Sequence, residues 1–421
     1  MADEQSATQA VALAVAAAHA AAPGMAAASP DAVDAALRAM ARLLTETADV
    51  VLKANAADVE AATADGMSGG MLDRLRLDPA RLAAMAGQIT ALAEVPAQPT
   101  RRHVRDLDGG LVLQEWRRPV GVIGANFEAR PNVAVDVASQ LVKSHNAGVL
   151  RTGSAAIASA AALVDHVVAP ALTSAGLPAD AIQLVRVRGR EAAAALVTHP
   201  RQMPLVILRG SGESTRSLAQ LAATHGVRTL AHADGGGVLY VDAAADVAKA
   251  RALIGASLDR LGVCNRLNLL LVHADRYDEL VPSFVELLGS RTPPIAASLP
   301  PHTHPLGYEW ALDAAAEATV TIAPAAGAVE AATIANEQTS GLAAGIVTED
   351  DDAARAFLAT YTGTGAFWNA TTRLLDGFKL LAVPETGINI DRVPGPRGPV
   401  TYQDLSLRQY VVLPRDSAAA L

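Results

Sequence analysis

The stretch Ala147–Val185, AGVLRTGSAAIASAAALVDHVVAPALTSAGLPADAIQLV, decides the fold. Ala147-Gly-Val-Leu150 and Ile182-Gln-Leu-Val185 are apolar runs of strand length, and Ser154 to Gly176 between them has the Ala/Leu/Val content of a helix. The alternation continues with a helix from Glu191 to Thr198, a strand at Leu205-Val-Ile-Leu208 and a helix from Ser214 to His225. Upstream, Val120-Gly-Val-Ile-Gly124 is a short buried strand ending at a loop. This rhythm predicts an α/β fold built on a doubly wound parallel sheet. A second α/β pattern runs from Val238 to about Phe367, with a surface loop between Pro293 and Pro305.

Outside these patterns, residues 1 to about 95 read as helices broken at Pro23-Gly24, at Gly66 to Gly70 and at Pro79, where Asp78 can cap the next helix. His103 to Trp116 alternates around an Asp108-Gly109-Gly110 turn, which predicts two short strands. Pro384 to Pro399 is Pro/Gly-rich and extended, and Gln409 to Leu413 is a last strand. At 421 residues the chain exceeds one core, so two domains plus appendages are expected. Aromatics make up only 3%, which leaves Ala, Val, Leu and Ile to build the interior. The net charge of −9 comes without a basic block, so nucleic acid is not an expected partner. Ala10 to Ala22 is apolar but follows an acidic Met-Ala-Asp-Glu-Gln and is too short to span a bilayer, so a soluble cytoplasmic protein without a membrane partner is expected. A single cysteine excludes an internal disulfide and a Cys-based zinc cluster.

That cysteine, Cys264, lies in Leu261-Gly-Val-Cys-Asn-Arg, ahead of the apolar run Leu269 to Val272. By residue type alone a lone cysteine is usually a small buried hydrophobe. A loop between sheet elements is where reactive groups sit, and reactivity requires a lowered pKa. Asn132, in Glu128-Ala-Arg-Pro-Asn-Val, either points its amide into a cleft as an oxyanion donor or caps the helix beginning near Val133. Arg209-Gly-Ser-Gly-Glu-Ser joins a strand to a helix, as a phosphate-cradling loop or an ordinary tight turn would. His232-Ala-Asp-Gly-Gly-Gly237 is a second such loop. His302-Thr-His304 has prolines on both sides and no carboxylate at ligand spacing, so it reads as solvated loop and no metal is expected.

Together these residues resemble the γ-glutamyl phosphate reductases, a branch of the aldehyde dehydrogenase superfamily. The resemblance spans nearly the whole chain. It is carried by Pro119-Val-Gly-Val-Ile-Gly, Phe127-Glu-Ala-Arg-Pro-Asn-Val, Lys143 to Arg151, Val263-Cys-Asn, Ile346-Val-Thr-Glu-Asp, Asn369-Ala-Thr-Thr-Arg and Arg397-Gly-Pro. It implies an aldehyde dehydrogenase-like fold of two doubly wound α/β domains plus a β-hairpin for oligomerisation. Residues 1–100 and 118–235, with 370–396 returning, would be the NADP-binding domain, and 236–369 the catalytic domain. The strands in 101–117 and 397–415 would make a homodimer or higher homo-oligomer. The implied reaction is NADPH-dependent reduction of an acyl phosphate, γ-glutamyl 5-phosphate, to the aldehyde through a thioester on Cys264, with Asn132 at the oxyanion, as in proline biosynthesis. Arg130, Asn265, Asn369 and Arg373 map to substrate binding. Lys143, Arg151, Ser154, Arg209, Gly210, Gly212, His232, Gly235 and Glu337 map to the cofactor. NADPH is favoured over NADH because Ser154 stands where NAD-selective relatives carry a glutamate, and Arg151 can pair with a 2′-phosphate. His232 stands where hydrolytic members carry a general-base glutamate, which points to an acyl reductase.

The match breaks at Arg266-Leu-Asn268-Leu269, at Leu342-Ala343-Ala344, at Gly387-Ile-Asn389-Ile390, at Gly236-Gly237-Val238 and at His145. Several of these exchanges put apolar groups where the family is polar. They raise a second reading, a paralogue reducing a different activated carboxylate. A third, a catalytically reduced homologue acting as a binding partner, is opposed by the retention of Cys264, Asn132 and the loop glycines.

Overall fold

The computed structural model describes residues 2–417 apart from 68, 211, 233–234, 314 and 392–396. Its first sheet has five strands, in spatial order Ile182–Val185, Ala147–Thr152, Val122–Phe127, Leu205–Arg209 and Arg228–His232. Every pairing is parallel. The chain enters at the central strand, builds to one edge, then crosses to the other side. The winding therefore reverses between Val122–Phe127 and Leu205–Arg209, and a crevice opens beyond the carboxyl ends of those strands. Helices cover both faces, which is why Val122–Phe127 is buried at every position and shows no alternation.

The N-terminal helices pack on this sheet. Ala2–Ala26 runs through Pro23-Gly24, where the sequence predicted a break. Pro23 lies near the helix end, and Ala18, Ala21 and Met25 bury in the core, offsetting one lost backbone bond. Gly24 is a packing residue: a Cβ there would lie 2.7 Å from the Pro178 ring. Asp78 caps Pro79–Glu94 by accepting the Arg81 N–H at 2.7 Å. The helical stretch from Ser154 to Ser174 contains a π turn at Val164–Val168 just ahead of Pro170, whose missing N–H the wider turn absorbs. This stretch and Gln5–Ala26 are long and apolar enough to cross a bilayer by length and composition, but both contribute residues to the first hydrophobic core.

The second sheet has six parallel strands, in order Ala296–Ser298, Thr319–Ala325, Leu267–His273, Gly237–Val241, Ala343–Val347 and Gly365–Trp368. Leu267–His273 lies inside it, so the cysteine loop that precedes it is anchored to the most buried part of this half. A third sheet is antiparallel, Arg101–Leu107 beside Leu111–Pro119 beside Ser406–Pro414. Its turn carries Gly109 and Gly110, both at φ 73°, a conformation costly for other residues. Its strands leave Val104, Leu407, Tyr410 and Val412 exposed. Within Pro384–Pro399, Gly387–Asn389 pairs with Gly398–Val400, while 392–396 lie outside the described residues.

Candidate active site

Cys264 stands on the loop between the helix Val247–Ala256 and the strand Leu267–His273. The loop is pinned on both sides. The Cys264 carbonyl accepts the Gly236 N–H at 2.6 Å, and the Asn265 carbonyl accepts the Thr372 hydroxyl at 2.8 Å. The Asn265 amide donates to the Leu375 carbonyl at 2.9 Å, and its oxygen accepts from Arg373. Among the described residues the Cys264 N–H donates to nothing, which leaves a donor next to the sulfur where an oxyanion would form.

Cys264 lines a narrow cleft of about 60 Å3 at the mouth of the first sheet's crevice. Phe127 and Arg209, the last residues of the two strands at the winding reversal, line it with Arg130, His232 and Gly235. Glycine at 235 is required by approach: a Cβ would meet both the Cβ and the carbonyl of Cys264 at 2.7 Å. Glu309 closes one side, its carboxylate accepting the Gly235 N–H at 2.8 Å. Asn268 sets that loop in place, donating to the Tyr308 carbonyl at 2.7 Å and accepting the Trp310 N–H at 3.1 Å.

Burial is the largest influence on the Cys264 thiol and, with Glu309, holds it above its ordinary value against the downward pull of Arg130, Arg209 and Arg373. Burial, with Arg74 and Arg209 nearby, lowers the Arg130 guanidinium to about 10, so it remains cationic at neutral pH. Burial also raises the Glu385 carboxyl to about 7, against the pull of Arg209. His232 is driven down to about 4 by burial and by Arg209. Its Nδ1 lies 3.1 Å from the Ile388 N–H, an obligate donor, so Nδ1 is unprotonated and the neutral ring carries its proton on Nε2. With Nδ1 accepting from Ile388 and Nε2 protonated, the neutral ring has no free basic nitrogen to offer a water.

Of the residues expected from sequence, the cleft gathers Cys264, Arg130, Arg209, Gly210, His232 and Gly235. Asn132 opens the helix Asn132–Lys143 one residue before Val133, which lines the cleft, and one amide N–H is held by Asp136 at 2.9 Å. Burial raises that Asp136 carboxyl to about 6. Arg151 is the last residue but one of the strand Ala147–Thr152, at its carboxyl end, its terminal nitrogens on Asn126 and the Gly189 carbonyl, its Nε buried without a partner. Ser154 beside it is exposed, and Gly212 begins the helix after Arg209. Ser211, Ala233 and Asp234, the middles of the two glycine loops, lie outside the described residues.

Five residues stand elsewhere than a ligand contact needs. Lys143 is at the carboxyl end of its helix, hence at the amino ends of the strands, buried against Asp34 and the Val95 carbonyl, each at 2.7 Å. Asn265 turns from the cleft to hold the 372–375 segment. Arg373 is spent on Asp259 at 2.5 Å and on Asn265. Asn369, at φ 49°, clamps Thr348 with both ends of its amide. Glu337 is exposed on Ala328–Gln338 and is not among the residues lining the cleft. Sequence reasoning missed Arg74, Glu309 and Glu385. Glu309 sits between two aromatics in an irregular loop, and no spacing rule ties it to a cysteine 45 positions earlier.

The exchanges that broke the family pattern are not in this cleft either. Leu342, Ala343 and Ile390 pack with Phe367 and Leu375 in an apolar cluster against which Cys264 rests. Arg266 is fully buried, and its guanidinium donates to the carbonyls of Leu267, Glu317 and Thr319.

Two parallel α/β sheets with a cysteine loop held over a nucleotide-type crevice are the layout of cysteine-dependent oxidoreductases. The chain belongs to the aldehyde dehydrogenase family, whose pattern matches residues 2–293. The γ-glutamyl phosphate reductase of Synechococcus elongatus is 36% identical over 400 residues, covering 89% of this chain and 87% of its own. That of Caulobacter vibrioides is 36% identical over 396 residues, covering 91% and 94%. The crystal structure of γ-glutamyl phosphate reductase from Thermotoga maritima superposes with a TM-score of 0.85 at 26% identity, covering 96% of this chain and 98% of that one. An acetylating aldehyde dehydrogenase from Geobacillus thermoglucosidasius shares the fold, with a TM-score of 0.73 at 16% identity over 97% of both chains.

Proposed function

We propose that this chain reduces γ-glutamyl 5-phosphate to glutamate 5-semialdehyde, releasing phosphate, through a thioester on Cys264. The observation that carries the reading is the setting of Cys264 beside Arg130 and Arg209 in a buried cleft. Two fixed cations there oppose the upward push of burial on the thiol and stabilise the anionic leaving group in a low-dielectric site. The thiolate attacks the acyl carbon, the oxyanion meets the Cys264 N–H and the Asn132 amide, and phosphate departs toward the arginines. His232, with Nδ1 occupied by Ile388, delivers no water to the thioester, which favours reduction over hydrolysis.

The family implies a nicotinamide dinucleotide. The first sheet suits it: the crevice lies at the winding reversal, Gly210 and Gly212 admit close backbone approach, and the buried unpartnered Nε of Arg151 leaves a donor for an anion. When bound, the dinucleotide supplies the hydride that takes the acyl group to the aldehyde. Arg151 and Ser154 would favour NADPH over NADH. Residues 1–100 and 118–235 would form the cofactor half, with 370–396 returning to it, and 236–369 the catalytic half. The antiparallel sheet, with exposed apolar side chains, would pair subunits into a homo-oligomer working in the cytoplasm. The residues that raised the altered-substrate reading pack behind Cys264 or brace loops, so they give that reading no specific support.

The test supplies glutamate 5-semialdehyde, NADP⁺ and phosphate to the purified protein and to Cys264→Ala. Phosphate-dependent NADPH formation lost in the variant is expected. Cofactor binding without turnover would overturn the assignment.

A further inference from the structure

Arg74, on the helix Gly69–Leu75, lines two spaces at once: the Cys264 cleft and a neighbouring groove of about 540 Å3. Most charges along that groove are committed. Arg260 pairs with Asp73 at 2.7 Å, Asp73 with Arg81 at 2.5 Å, and Asp259 with Arg373 at 2.5 Å. Arg291 donates to the Gly255 and Leu258 carbonyls at 3.1 and 3.4 Å. Two charges stand apart. The Arg74 Nε is buried without a hydrogen-bond partner, and among the described residues neither its terminal nitrogens nor the Glu317 carboxylate has one.

These two groups flank Gly262. A Cβ on that glycine would fall 2.9 Å from the Glu317 carboxylate and 3.1 Å from an Arg74 terminal nitrogen. A Cβ on Gly70 would meet the same carboxylate at 2.8 Å. Glu317 is held there by its own carbonyl, which accepts from the buried Arg266 guanidinium. Gly262 precedes Cys264 by two residues, a span of at most about 7 Å. From a glutamyl acyl carbon to its α-carbon there are three C–C bonds of about 1.5 Å each. An acyl chain attached at Cys264 is therefore long enough for its α-carbon, with its carboxylate and ammonium, to reach toward this cation and this anion.

We propose that Arg74 and Glu317 are the specificity pair of the site, Arg74 taking the α-carboxylate and Glu317 the α-ammonium of the acyl chain. This rests on the acyl-phosphate reading above. Burying a zwitterion demands a partner for each charge, and the groove offers one of each sign at Gly262, two residues before the nucleophile. Arg266 then acts as a positioning residue for Glu317.

Three aldehydes separate the terms: glutamate 5-semialdehyde carries both α groups, 5-oxopentanoate only the carboxylate, and pentanal neither. Phosphate-dependent kcat/KM is measured for each in wild type, Arg74→Ala, Arg74→Lys and Glu317→Gln. Because ratios are taken within one preparation, partial misfolding cancels. Arg74→Ala is expected to shrink the 5-oxopentanoate preference over pentanal by roughly 30- to 100-fold, with partial recovery in Arg74→Lys. Glu317→Gln is expected to shrink the preference for glutamate semialdehyde over 5-oxopentanoate by a similar factor. Wild-type turnover with both ratios unmoved in the variants overturns the pair and leaves the acyl-phosphate reading standing. Absence of phosphate-dependent turnover with all three aldehydes in wild type overturns that reading and the pair with it.

Discussion

The Gly235 N–H donates to the Glu309 carboxylate at 2.8 Å, and through this bond an anion is fixed beside the Cys264 thiol. Glu309 pushes the thiol up while Arg130 pulls it down, so the two side chains set its nucleophilicity in opposite directions. Glu309→Gln is expected to lower the pH midpoint of Cys264 alkylation by iodoacetamide, and Arg130→Gln to raise it. At pH 7 the first variant then alkylates faster than wild type and the second slower, by roughly tenfold where the midpoint moves by about one pH unit. Equal midpoints in the two variants would refute this arrangement of charges.

Gly235→Ala tests the approach of the backbone to the nucleophile. Its Cβ would sit 2.7 Å from the Cys264 Cβ and carbonyl, and that carbonyl is bonded to Gly236. Relief requires moving the cysteine loop, and a displacement near 1 Å costs about 100-fold in rate. We expect kcat to fall by at least about that factor, read by steady-state assay, with the protein still folded by circular dichroism.

His232 and Glu385 give opposite pH dependences of stability. His232 titrates near 4 when folded and 6.5 when unfolded, so the folded state binds fewer protons and stability falls as pH drops through that window. Glu385 titrates near 7 folded and 4.5 unfolded, so stability falls as pH rises from 4.5 to 7. Each contribution amounts to at most roughly 3 to 4 kcal/mol, from a shift of about 2.5 pH units. Urea unfolding from pH 4 to 8 should show His232→Asn less sensitive to acid and Glu385→Gln less sensitive to rising pH. Parallel shifts of both variants at every pH would show that neither group titrates as described.

Arg151 sets the cofactor prediction. Arg151→Gln removes the free Nε donor at the crevice edge, so the kcat/KM preference for NADPH over NADH should fall by roughly tenfold or more. An unchanged ratio would remove Arg151 from 2′-phosphate recognition.

The alternation around Ala147–Val185 and the cysteine loop were legible because burial on both faces leaves continuous apolar strands, and loops between them carry chemistry. Cys264 and the loops of Arg209, His232 and Gly235 could be found for that reason, while Arg130 came from the family resemblance. Lys143, Asn369 and Asn265 could not be told from ligands, because a polar side chain that clamps backbone looks the same in sequence as one that faces a cleft. Only the helix end that carries Lys143, and the Thr348 amide held by Asn369, reveal their use. Arg74 and Glu309 come from segments far from Cys264 in the chain, and tertiary contact alone brings them to it. The Pro23-Gly24 break failed because burial of Ala18, Ala21 and Met25 in the core outweighed the local helix-breaking preference.

The most direct test is a burst experiment with glutamate 5-semialdehyde and NADP⁺ in the absence of phosphate. A thioester on Cys264 that only phosphate releases predicts a burst of one NADPH per subunit, then arrest, with steady turnover on adding phosphate and no burst in Cys264→Ala. Sustained turnover without phosphate, or a burst surviving in Cys264→Ala, would contradict it.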